Sequence, residues 1–233
     1  MGQYNLIITD LTRYGTLYCV AGWDIERERM IRPEPPGADS ATEASRFWET
    51  GFAGDGQVFA VGNRVQLTAS TPPVHFPFPH ATEDRIVVGS NITVLEHLNT
   101  SQIVDRVQES VSASPLDAFG GHLIRSHNGK SYVPAGAVCP SLGAIEIEPD
   151  AISFYSETTD NGRVRLRAVV QHQGHDYDFS VPADAANRRF SQGQITALEA
   201  DAEASDLIHL RLGLSRPFGA VPCYAQINGL LFL

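Results

Sequence analysis

Lysine is almost missing from this chain: of 17 basic residues only Lys130 is not an arginine. With a formal net charge of −10, the surface as a whole cannot clamp a phosphate backbone, so any anion-binding site has to be local. The arginine bias is explained first by the base composition of the gene, and only second by a need for a planar, permanently charged fork. Cysteine is scarce as well. Cys19, Cys139 and Cys223 are odd in number, far apart and set among apolar or proline neighbours. That excludes a disulfide framework and reads as reduced, buried thiols in a cytoplasmic protein. No stretch approaches the roughly 20 apolar residues of a membrane span, and the opening MGQYNLIITDL has no basic region ahead of an apolar core. Neither a membrane association nor a signal peptide is expected.

The motifs of common chemistry are absent too. There is no Gly-x-Ser-x-Gly elbow, no cysteine beside a plausible histidine, and no glycine-rich phosphate loop of the Walker or dinucleotide type, so no catalytic residue is nominated. His172 and His175, like His122 and His127, invite a zinc reading. A closed site needs four ligands, however, and the cysteines supply no Cys-x-x-Cys, so neither metal nor cofactor is expected. His172 and His175 instead flank Gln173-Gly174, a pair suited to a hairpin turn.

Glycine (20), proline (14) and a 42% hydrophobic share with only 19% charged residues suit short strands and many turns. The fold is therefore predicted to be mostly β. Tyr4 to Leu11 reads as a first strand. Leu17 to Pro33 reads as a hairpin, two strands joined by a polar connection. Glu34 to Ser45 reads as a surface loop, followed by Arg46, Phe47 and Trp48, an aromatic pair beside a cation that either covers a barrel end, the first reading, or presents a stacking surface. Gln57 to Ala69 alternates like a half-buried strand, and the proline-rich run after it is expected to cross the surface extended. Ile92 to Leu98 and Ser101 to Val111 read as helical, with an N-cap from Thr100-Ser101. SASPLDAFGG, from Ser112 to Gly121, has the composition of a linker, which places the domain boundary at 115/116. Beyond it Ile145 to Ile147, Ile152 to Ser156, Val164 to Gln171, Asp176 to Val181 and Leu207 to Leu214 read as strands. TTDNG and Gln173-Gly174 supply hairpin turns, Thr196 to Ser205 is a helix or loop, and the apolar terminus YAQINGLLFL is expected to pair into the second sheet.

Several short stretches in this order resemble the prokaryotic dual OB-containing domain family: Cys19-Val20-Ala21-Gly22 with Ile31-Arg32-Pro33; Val61 through Pro73; His172 to Tyr177; Val181 to Asp184; Arg188-Arg189-Phe190; and Leu212 to Phe218 with Cys223-Tyr224. The sequence departs from that pattern at Pro182-Ala183, where a threonine before the aspartate is expected. The resemblance implies two tandem OB-like β-barrels with one or two short helices, over 1–115 and 116–233. It also implies an accessory role in a nucleic-acid modification or defence system.

The sharpest local signal is Arg163, Arg165 and Arg167, which alternate with Val164, Leu166 and Ala168. Period two sets the three guanidinium groups on one strand face, about 6.5–7 Å apart. Asp176 and Asp178 on the next strand are their expected partners; otherwise the row is a track for phosphates, with Tyr155 or Tyr177 as a stacking ring. Trp23 and Arg32 form a second candidate pair on the Leu17–Pro33 hairpin, and Arg188 and Arg189 a basic pair further on. The function read from these residues is a nucleic-acid-associated binding or adaptor module. A protein-docking scaffold for a partner enzyme is the alternative, and an enzyme with a site between two lobes a weaker one. The partners expected are single-stranded nucleic acid or a protein of the same system.

Overall fold

The computed structural model describes residues 1–38, 42–71, 77–217 and 221–233. The chain divides into two compact units, Met1–Ser110 and Val111–Leu233.

The first unit is built on a long strand, β1 (Gly2–Tyr14). Residues 2–7 of it pair with β4 (Asn63–Ser70), while residues 6–14 pair with β2 (Leu17–Asp24), so one strand closes the sheet on both sides. β2 continues antiparallel into β3 (Arg29–Glu34), which runs parallel to β5 (Asp84–Val87), and β5 returns to β4. The closed order β1-β2-β3-β5-β4-β1 with one parallel pair is a five-stranded Greek-key barrel, the architecture of an OB-like fold. Alternation produces its core: Leu6, Ile8, Val20, Ile31, Val65 and Leu67 all turn inward and pack together. Gly22 is required by close approach, because a Cβ there would lie 2.6 Å from the Ile7 carbonyl oxygen. Trp48 joins this core and its indole N–H donates to the Pro33 carbonyl at 2.8 Å, so the Arg46–Trp48 segment does cover the barrel.

Two readings of this half are corrected. Thr93–His97 is not helical but the outer strand β6, paired to β4, where β-branched Thr93 and Val94 suit an extended backbone. The helix α1 is shorter than predicted, Thr100–Arg106. Its cap is Asn99, which accepts from Gln102 N–H while the Gln102 side chain accepts from Asn99 N–H, each at 3.0 Å. The extended crossing proposed for the proline-rich run falls largely on residues outside those described.

The second unit opens with a short helix, α2 (Pro115–Ala118), capped by Ser114. The linker reading of SASPLDAFGG is thereby corrected, since Phe119 is fully buried in the unit's own core. A small hairpin of β7 (Ile124–Arg125) and β8 (Ser131–Val133) leads to β9 (Leu142–Ile147). A single turn starting at Pro149 then separates β9 from β10 (Ile152–Thr158). Antiparallel β11 (Val164–His172) and β12 (His175–Ser180) follow, joined through Gln173 (φ +50°) and Gly174 (φ +77°) as the hairpin reading required. Helices α3 (Asp184–Ser191) and α4 (Ile195–Glu203) cross to β13 (Ile208–Leu214) and β14 (Cys223–Phe232). Ala183 stands at the N-cap of α3 without a side-chain acceptor, so the departure at Pro182-Ala183 removes a cap.

The sheet order is β10-β11-β12-β14-β13-β9, again with one parallel pair, β12 with β14. If β9 and β10 are counted as one strand broken at Pro149, this is the strand order of the first barrel repeated. A proline there removes a ladder donor and lets the halves diverge, one to β13 and the other to β11. The terminal segment pairs along β13 as predicted, with Ile208 opposite Phe232 and Leu210 opposite Leu230. Among the described residues no helix is long and apolar enough to cross a membrane.

Candidate functional site

In β11 the side chains of Leu166, Ala168 and Val170 enter the core, which puts Arg165 and Arg167 on the outer face and Arg163 in the turn just before the strand. Register supplies their neighbours. Tyr155 of β10 lies opposite Arg167, Ser180 of β12 flanks Arg167 on the other side, and Glu157 lies opposite Arg165. The arginines therefore sit between two strands that each contribute an acid. Arg167 Nε donates to Asp178 Oδ1 at 2.9 Å and to the Tyr155 hydroxyl at 3.0 Å, and that hydroxyl donates to Asp178 Oδ1 at 2.9 Å. Arg165 Nε meets Glu157 Oε2 at 2.7 Å, and Lys130 Nζ meets Glu157 Oε1 at 3.0 Å. Of the two expected partners only Asp178 serves. Asp176 faces Gln171 near the hairpin end, and Glu157 on the opposite strand takes its place.

The electrostatics follow from this geometry. Partial burial acts to raise the Glu157 carboxyl, but hydrogen bonds from Lys130 and Arg165 and the charge of Arg167 outweigh it and hold it down at about 2. Burial disfavours the charge on Arg167, yet Asp178 and the Tyr155 hydroxyl more than restore it, so its pKa is raised. Burial, then Asp178, push the Tyr155 hydroxyl up. Lys130, Arg165 and Arg167 set against Glu157 and Asp178 leave one positive charge in surplus. Arg163 adds a second. It is exposed and its guanidinium has no ion pair among the described residues.

Beside this cluster lies a pocket of about 450 Å³ lined by Lys130, Arg165, Arg167, Ser180, Tyr224 and Gln226, among others. It opens on the second, third and fifth strands of the barrel, the side on which OB folds take oligonucleotides and oligosaccharides. At its rim Tyr224 is 43% exposed and meets Tyr132 edge-on, ring centroids 6.1 Å apart. Register extends this row to Ile124, opposite Tyr132. The ring available for stacking is thus Tyr224. Tyr155 is half-buried with its hydroxyl engaged. Tyr177 turns into the core, 8% exposed and stacked on Phe179 at 6.0 Å.

Sequence reasoning missed Lys130, Glu157, Tyr132 and Tyr224. For Tyr224 the signal was present: Cys223, Ala225 and Ile227 are core positions, so the residue between the first two points outward.

The other nominated residues lie elsewhere. Trp23 is 5% exposed and pairs in register with Met30. Arg32 is 3% exposed and bound to Asp84 Oδ1 at 2.7 Å, its register partner on β5. Arg46 joins the same buried network, at 2.8 Å from Glu34 and also paired to Asp84. Burial opposes the Arg32 charge, but Asp84 chiefly outweighs it and raises the pKa. Trp23 and Arg32 therefore belong to the interior, where a guanidinium persists only with a carboxylate to meet it. Arg188 and Arg189 lie on α3, and each is paired, with Asp184 at 3.3 Å and with Asp201. Among the described residues no group of three or more His, Cys, Asp or Glu is placed to hold a metal ion. His172 and His175 face each other across the hairpin, and His172 Nε2 lies 2.9 Å from the Ala113 carbonyl.

A family model described as a dual OB-containing domain matches residues 5–230. No curated protein and no solved structure matches the chain.

Proposed function

The chain belongs to the dual OB-containing domain family, and from that premise we propose that it is a binding module whose second barrel takes single-stranded nucleic acid at the Lys130–Arg165–Tyr224 pocket. The observation that supports this reading is one pocket in which unsaturated positive charge and an exposed aromatic ring occur together. Each binding element has a distinct task. Arg163 and Arg165 meet phosphates, the ring of Tyr224 stacks on a base, and Ser180 and Gln226 offer hydrogen bonds to sugar or base edges. Stacking on one ring contributes roughly 1–3 kcal/mol and tolerates any base, so the recognition is of strandedness more than of sequence. The sequence resemblance extends the proposal to an accessory role beside a nucleic-acid modification or defence enzyme.

The test is a comparison of labelled single-stranded DNA and RNA with the matching duplexes at low salt. Single strands should bind and duplexes bind more weakly, because paired bases cannot leave the stack for Tyr224. Absence of binding to every one of these probes would favour the docking of a protein on the exposed row of Ile124 and Tyr224 at the rim of the pocket.

A further inference from the structure

We propose that Glu157 occupies the phosphate position of this site and acts as a built-in competitor that limits the affinity for nucleic acid; the inference rests on the binding reading above. Three cations from two segments converge on its carboxylate: Lys130 Nζ at 3.0 Å, Arg165 Nε at 2.7 Å and Arg167 Nη1 at 3.4 Å. Like charges brought together in this way repel unless an anion lies among them, and a convergent set of N–H donors is what a phosphate group selects. Glu157 is the acid that fills that place here. With a side-chain exposure of 23%, it stands where solvent and an incoming ligand can reach it.

The three cations do not depend on it equally. Arg167 is fixed independently by Asp178 and Tyr155. Lys130 and Arg165 have Glu157 as their only carboxylate partner among the described residues, and both also line the pocket. A phosphate entering the pocket must therefore share or take these two groups from Glu157. Because the carboxyl is held ionised at about 2, the competition is present throughout the physiological pH range. Removing the charge releases the two cations while leaving Arg167 in place.

The experiment is an oligonucleotide titration of the full chain and its Glu157→Gln variant at two salt concentrations, with a melting curve for each. Glu157→Gln should bind a labelled single strand on the order of tenfold more tightly, a change of about 1.4 kcal/mol. Its salt slope should steepen by about 0.7 for each further phosphate neutralised on a single strand. Lys130→Gln added to Glu157→Gln should take about 0.7 of that slope away again. Should Glu157→Gln fail to fold, Glu157→Asp, which withdraws the carboxylate by one methylene, should give a smaller tightening in the same direction. Equal or weaker binding by a folded Glu157 variant, with the parent chain binding normally, would overturn the competitor and make Glu157 an anchor for the cations. Absence of binding by both parent and variant would defeat the binding reading itself.

Discussion

Arg167 and Asp178 meet at 2.9 Å on neighbouring strands, and the Tyr155 hydroxyl bonds to both, so the innermost arginine of the row is fully engaged before any ligand arrives. Exposure follows the same gradient: the Arg167 side chain is 5% exposed, that of Arg165 42%, and Arg163 lies in the open. Three arginines of identical spacing thus divide into one that holds the barrel and two that face outward.

This division is measurable by denaturant unfolding. Arg167→Gln leaves Asp178 without its cation in a largely buried setting and should cost about 3 kcal/mol of stability. Arg163→Gln, on the exposed turn, should stay within about 0.5 kcal/mol of the parent.

The C-terminal strand is part of the second core. Leu231 is buried, Leu230 and Phe232 pack against the core, and Leu233 N–H donates to the Leu207 carbonyl at 3.0 Å. Each such side chain contributes roughly 1.5–3 kcal/mol when buried. Deleting Leu230 to Leu233 should therefore abolish slow amide exchange in β13 and β14 while β1 to β4 stay protected. Unchanged protection in β13 would mean the strand is dispensable.

Gly22 offers a sharper test of the first barrel. A Cβ at that position meets backbone, the Ile7 carbonyl oxygen at 2.6 Å and its carbon at 3.1 Å, which no side-chain rotation can relieve. Gly22→Ala should destabilise the unit by about 1–3 kcal/mol, read as a lower denaturant midpoint with unchanged slope.

Stability should also depend on pH through His209. The ring is fully buried on the outer face of β13, and burial together with the Arg211 charge lowers its pKa to about 3, with Glu146 Oε1 at 3.2 Å from Nδ1. A histidine with an ordinary value near 6.5 binds a proton in the unfolded chain that the folded one refuses. Stability should fall as pH drops below about 6.5, by at most about 1.4 kcal/mol per pH unit for this one group. Glu157, held at about 2, adds a second loss only below its ordinary value of 4.5. His209→Gln should flatten the profile between 6.5 and 4.5 and leave the acid limb; an unchanged slope in that window would assign it to other groups.

What the sequence made visible was local. Alternation in Val164–His172 put the arginines on one face, and a turn pair with a glycine placed the hairpin at 173–174. What it hid was the identity of the neighbour across a strand. Arg32 is spoken for by Asp84, 52 positions later, through a parallel pairing that no local pattern announces. Glu157 stands one hairpin away from Arg165, nearer in sequence than Asp176, yet only the register of β10 against β11 reveals that it is the acid facing that base. Tyr177 and Tyr224 differ in strand parity alone, yet one is core and the other rim. Short segments failed for a related reason. Five residues, Thr93–His97, are too few for a period to separate helix from strand, and a polar, proline-bearing run such as SASPLDAFGG still buries its single phenylalanine when a barrel lies beside it.

The most direct test of the binding face is the salt dependence of single-stranded oligonucleotide affinity in three proteins: the parent, Arg163→Gln with Arg165→Gln, and Tyr224→Ala. The parent should bind more weakly as salt rises, and the double variant should lose about 1.4 from that slope, two phosphates at about 0.7 each. Tyr224→Ala should keep the slope and lose roughly 1–3 kcal/mol of binding free energy, with all three melting alike. Contradiction would be parent binding whose slope and affinity both variants share, or no binding of DNA or RNA at low salt.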